Sequence, residues 1–93
     1  MKERDIEAYL VKRVKAMGGE VRKVQWVGHR GAPDRLVLLR DTWHGATSAV
    51  WVELKAPGAK AEPHQLREHD RMRGMGQHVV VVDSLAGVDD LLS

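Results

Sequence analysis

Two acids and a lysine stand at spacings that could do chemistry. Asp34 follows Pro33 at the end of a glycine-containing loop, and Glu53 and Lys55 flank Leu54 at the end of an apolar stretch. Residues two apart in a strand share a face, so Glu53 and Lys55 point one way and Leu54 the other. Val37, Leu39, Val50 and Val52 imply strands buried on at least one face. Two carboxylates and an ammonium group are expensive on such a surface unless they pair or hold a cation. Oxygen ligands in a chain without cysteine suit Mg2+ or Mn2+ rather than zinc. The chemistry expected of such a set is phosphodiester hydrolysis. The cation would polarise a phosphate and acidify a water, with Lys55 orienting that water or stabilising developing negative charge.

The elements that must position these groups can be read along the chain. Ile6, Leu10, Val14 and Met17 recur at helical spacing and predict a helix over residues 3–17, stopped by Gly18-Gly19. Glu20 to Val27 reads as a strand with imperfect alternation, and residues 28–32 as a loop. Arg35 to Arg40 and Ala49 to Lys55 are two more strands, joined as a hairpin through the polar segment Asp41 to Ser48. A second helix opens at Glu62 or Pro63 and runs to about Met75. The valine run within Gln77–Val82 has no polar face, which predicts a central strand covered on both sides. A short helix over Leu85–Leu92, with Ser84 as its N-cap, closes the chain. The order is helix, three strands, helix, strand, helix: one α/β domain over residues 1–93 with a mixed sheet flanked by helices.

The hairpin brings the acids together. Asp34 enters the first of its strands while Glu53 and Lys55 leave the second, so a register pairing 34 with 53 or 55 sets all three side chains on one face. Cross-strand neighbours are about 4.5–5.5 Å apart, close enough for two carboxylates to share a divalent cation. An isolated Glu-x-Lys usually forms a plain salt bridge at a strand end. Pro33-Asp34 at the mouth of a hairpin of the right length favours the site. Glu7 is a third acid, at the edge of the first helix's apolar stripe. It is solvated or paired with Arg4 or Lys12 unless that helix packs over the hairpin.

Composition narrows the field. The 93 residues hold no cysteine, which excludes a disulfide framework and fits a reducing cytoplasm. The runs Leu36–Leu39 and Val79–Val82 are too short to span a bilayer, and Met1 to Asp5 lacks the character of a secretory leader. Residues 1–30 carry eight Lys/Arg against four acids, whereas residues 61–93 carry three against six. A basic first third suits a phosphate-rich partner.

With these residues in view, the chain resembles the VRR-NUC family of the PD-(D/E)xK nuclease superfamily. Glu7, Gly31-Ala32-Pro33-Asp34, Glu53-Leu54-Lys55 and Gln65 carry the resemblance, which covers nearly the whole chain. It implies a restriction-endonuclease-like core. It implies metal held by Asp34, Glu53 and the Leu54 carbonyl, with Glu7 as an outer or water-mediated ligand. Lys55 would be the catalytic lysine, and Gln65 would support the site or the scissile phosphate. Free-standing members of phage type resemble dimeric Holliday-junction resolvases, which would place such a chain in the cytoplasm of a bacterial host.

Arg30, Lys60, His64, Arg67 and Lys23 are candidate DNA contacts around this site, and Lys12, Lys15 and Arg22 extend the basic track. Such contacts add salt sensitivity rather than sequence preference. The five histidines have no i, i+4 pair that would suit zinc. Trp26 and Trp51 read as core. Trp43, at the hairpin tip, could stack on unpaired bases or form a dimer contact. The expectation is a Mg2+- or Mn2+-dependent endonuclease acting on branched DNA as a homodimer. The alternatives are a monomeric flap or nicking nuclease and a non-catalytic DNA-binding module.

Overall fold

The computed structural model describes residues 1–43 and 47–93, and side chains outside residues 41–48. The elements run α1 (Glu3–Ala16), β1 (Glu20–Lys23), β2 (Arg35–Trp43), β3 (Thr47–Leu54), α2 (Pro63–Gly74), β4 (Val79–Val82) and α3 (Leu85–Leu92). This is the expected order. The sheet is mixed, in the order β1-β2-β3-β4, with β1, β2 and β3 antiparallel and β4 parallel to β3.

Strand alternation sorts the sheet into two faces. Val37 lies opposite Val50 on one face, together with Val52 and Leu54. Ile6, Leu10 and Val14 of α1 and Val88, Leu91 and Leu92 of α3 close over this face to form the core. Each such aliphatic side chain contributes about 1.5–3 kcal/mol on full burial. Met17, expected to extend the stripe of α1, is exposed because the helix stops at Ala16. Glu53 belongs to the other face, where α2 buries Glu68, His69 and Met72.

Three further features of the sheet differ from expectation. β1 ends at Lys23 rather than Val27. Its next residue still donates a backbone bond, Val24 N to Asp34 O at 2.9 Å. Beyond that the facing residue is Pro33, which has no N–H to continue the ladder. Instead the Trp26 indole donates to the Pro33 carbonyl at 2.7 Å. The strands of the hairpin run longer than expected, with a register irregularity between Leu38 and Trp43. The expected role of Trp43 at the tip lies outside the described residues.

The four-valine strand is the third difference. It stands at the end of the strand order, beside β3, rather than in the centre. The β3-α2-β4 crossover accounts for this. Helices lie over both faces of the strand, and that two-sided cover suffices for an all-valine sequence even at a sheet edge. Ser84 caps α3 as expected, its Oγ accepting from Gly87 N at 2.8 Å. Among the described residues no helix is long and apolar enough to cross a membrane.

Candidate active site

The register of the hairpin decides how the acids meet. Arg35 pairs with Val52, so one further step sets Asp34 across from Glu53 where β2 begins and β3 ends. The two carboxylates share the face under α2, while Leu54 is buried in the opposite core. Lys55, two residues beyond Glu53, is held at the strand end by its backbone N–H, which donates to Val82 O at 2.9 Å. Asp34, Glu53 and Lys55 are therefore gathered at one end of the sheet, as strand alternation requires.

Their environments differ sharply. The Asp34 side chain is half exposed. Glu53 is only 8% exposed, and its Oε1 is sealed from solvent with no hydrogen-bond partner among the described residues. Burial pushes the Glu53 carboxyl up to about 7; Asp34 and Glu3 raise it further, and Lys55 and Arg35 oppose the rise. A buried carboxylate facing a second carboxylate fits a hard divalent cation that would supply the missing positive charge. Among the described residues no three His, Asp or Glu side chains converge into a ready-made metal cage. A cation here would therefore draw on two carboxylates, with backbone oxygen and water completing its shell. That is the sparse coordination Mg2+ commonly keeps.

Glu7 reaches this end of the sheet by another route. It projects from α1, on the core side, and its Oε2 accepts from both Nε and Nη2 of Arg35. The same guanidinium places Nη1 2.8 Å from Asp34 Oδ1. Arg35 thus bridges Glu7 to Asp34 around the start of β2. Burial works against the charge of Arg35, but the contacts with Glu7 and Asp34 more than offset it, and its pKa is raised.

Gln65 sits at the first turn of α2, where its side-chain oxygen accepts from Glu62 N at 2.8 Å. Gly31 sets this turn against the loop that leads to Asp34. Its φ is +86°, and a Cβ there would lie 2.9 Å from the His64 carbonyl and 3.1 Å from Gln65 Cα. Only glycine admits both the left-handed backbone and so close an approach.

Of the candidate DNA contacts, Lys23 lies beside Asp34. Lys23 and Asp34 line one cleft of about 490 Å³, with Val24 and Gln25. Lys60 lines another, of about 360 Å³, beside Leu66, Val81 and Asp83. Arg30 and Arg67 are exposed, and His64 is half-buried against the Gly31 loop. Trp26 and Trp51 are half-buried, their ring centroids 5.1 Å apart.

Comparison with known proteins bears on this arrangement. Over 84 residues the chain is 44% identical to "Putative nuclease p44" of Acyrthosiphon pisum secondary endosymbiont phage 1, an overlap spanning 90% of this chain and 85% of that protein. A solved structure named "VRR_NUC domain" superposes with a TM-score of 0.82 at 43% identity, covering 99% of this chain and 95% of the other. The chain belongs to the VRR-NUC family. It is thus a nuclease-type protein by family, and its mixed sheet and flanking helices are the VRR-NUC fold. A second structure, "VRR_NUC domain protein", shares that fold at a TM-score of 0.75 and 19% identity, covering 99% and 85% of the two chains. No protein-family model matches the chain.

Two residues at this VRR-NUC site escaped sequence reasoning. Arg35 directly follows Asp34 and shares strand parity with Val37 and Leu39, and that place on an apolar face was the available signal. His69 follows Gln65 by four residues and precedes Met72 by three, the spacing of a buried helical stripe. Its side chain is fully buried against Glu53.

Proposed function

We propose that this chain is a Mg2+- or Mn2+-dependent endodeoxyribonuclease that hydrolyses phosphodiester bonds in branched DNA as a homodimer, in the manner of a Holliday-junction resolvase. The observation that carries the metal chemistry is the register placing Asp34 across from the buried Glu53. Asp34, Glu53 and the Leu54 carbonyl would hold the ion, with Glu7 as an outer ligand. When bound, the ion would supply Lewis-acid polarisation of the phosphate and a more acidic water.

The chain's own residues would do the rest. Lys55, at the same strand end, would orient the attacking water and neutralise charge building on the phosphate oxygens. The amide nitrogen of Gln65 would donate to a non-bridging phosphate oxygen. Arg30, Lys23, Lys60, His64 and Arg67 would track the flanking phosphates, so affinity should fall steeply with salt. Arg35 would hold Asp34 and Glu7 in place.

The dimer follows from the substrate. One chain has one Asp34–Glu53 pair, whereas resolving a four-way junction takes two cuts, so a twofold pair of chains is the economical solution. Such a protein would act in the cytoplasm of a bacterial host.

The test is a substrate panel. The protein, with Mn2+ or Mg2+, is incubated with a four-way junction, a flap and a linear duplex, and its mass is measured by light scattering. Paired junction cuts by a dimer are expected. Efficient flap cutting by a monomer, with the junction intact, would replace the resolvase reading by a flap nuclease.

A further inference from the structure

We propose that His69 is the positioning residue for Glu53, holding that carboxylate in the orientation that takes up a divalent cation beside Asp34; this rests on the metal-dependent reading above. His69 is 0% exposed, and its Nε2 lies 3.5 Å from Glu53 Oε1. That oxygen and both ring nitrogens of His69 are sealed from solvent, and none has a hydrogen-bond partner among the described residues. Buried polar atoms are costly without partners, and an apolar side chain would fill the same space without that cost. Among the described residues, the ion-pair contact recorded for this imidazole is with the Glu53 carboxylate.

The geometry explains what the ring can do. The neutral tautomer carrying its proton on Nε2 donates toward Oε1 once the two groups close by about half an ångström, an ordinary tightening between a free and a ligand-bound site. Oε1 is thereby anchored to α2, and the other carboxylate oxygen is left for a ligand. Carboxylates that bind metal are commonly fixed in this way by an outer hydrogen bond, which costs affinity when lost. Gln65 lies one helical turn before His69, so α2 would bring a phosphate contact and an anchor for the metal-binding carboxylate on one face.

The test is Mn2+ affinity of the full chain without DNA, read from the electron paramagnetic resonance of free Mn2+, with circular dichroism to monitor folding. His69→Leu removes both nitrogens, whereas His69→Gln retains an N–H donor. The leucine variant should bind Mn2+ roughly 10- to 100-fold more weakly, and the glutamine variant within about threefold of wild type. Wild-type affinity in a folded leucine variant would overturn the proposal, as would a glutamine variant as weak as the leucine one. If leucine prevents folding, His69→Met replaces it as the donor-free variant, a loss of about tenfold or more supporting the role and wild-type affinity refuting it. A wild-type chain that binds no Mn2+ would instead overturn the metal-site reading, and this inference with it.

Discussion

Arg35 Nη1 lies 2.8 Å from Asp34 Oδ1, and the same guanidinium donates to Glu7 on α1. One cation therefore couples the first helix to the site. Arg35 is nearly buried, while Glu7 and Asp34 keep about a third and a half of their side chains exposed. Replacing Arg35 with Met should cost roughly 2–3 kcal/mol, below the full penalty for breaking a buried pair because both acids reach water. Urea denaturation measures it. A double-mutant cycle with Glu7→Gln should show non-additivity of at least about 0.5 kcal/mol, and strict additivity would dissolve the bridge.

Glu53 makes stability depend on pH in an unusual direction for a carboxylate. Burial lifts its pKa from 4.5 to about 7 in the folded chain. Below the lower value the group is protonated in both states and its contribution is intact. As pH rises through about 7 the folded chain must ionise a buried carboxyl, and stability is lost. The shift corresponds to about 3 kcal/mol at most. With EDTA present, Glu53→Gln should therefore be more stable than wild type at pH 8, by ~1–3 kcal/mol, and equal to it near pH 4. Parallel stability curves across that range would contradict the burial argument.

Gly31 and Gly58 separate backbone strain from steric contact. Both have positive φ, +86° and +81°, but a Cβ at Gly58 meets nothing within 4 Å whereas one at Gly31 meets the first turn of α2. Alanine at Gly58 should cost about 1–2 kcal/mol, the ordinary left-handed penalty. Alanine at Gly31 should cost more, and it should also displace the loop leading to Asp34. Cleavage should therefore fall for Gly31→Ala and hold for Gly58→Ala. Equal losses of stability and activity would show that the loop is not pinned to α2.

Lys55→Ala tests the division of labour at the strand end. The substitution should lower cleavage by about 10²–10³-fold, the scale of one lost electrostatic stabiliser. Mn2+ binding without DNA should stay close to wild type, because Lys55 supplies no ligand oxygen. Loss of Mn2+ binding together with activity would recast Lys55 as a structural partner of Glu53.

Much of this site could be read from residue order. Period-two alternation was enough to send Leu54 into the core and Glu53 to the opposite face, and a short hairpin was enough to bring Asp34 to the Glu53–Lys55 end, with the choice between 53 and 55 left to the register. The apolar spacing of Ile6, Leu10 and Val14 likewise reported α1. Three features depended on tertiary packing and were not legible locally. The valines of β4 report two-sided cover but not whether a strand lies on each edge. Arg35 carries its bridging role only because α1 delivers Glu7 to it. His69 matters only because α2 crosses the face that holds Glu53, and a lone histidine on a polar helix gives no sign of that.

The central claim, that Asp34 and Glu53 form a metal-dependent phosphodiesterase site, is tested most directly by cleavage of end-labelled branched DNA by wild type and Asp34→Asn. Each is assayed with Mn2+ and with EDTA, after circular dichroism has confirmed equal folding. Wild type should cut only with Mn2+, and Asp34→Asn should not cut under either condition. DNA left intact by wild-type protein with Mn2+, or cutting by Asp34→Asn at the wild-type rate, would contradict it.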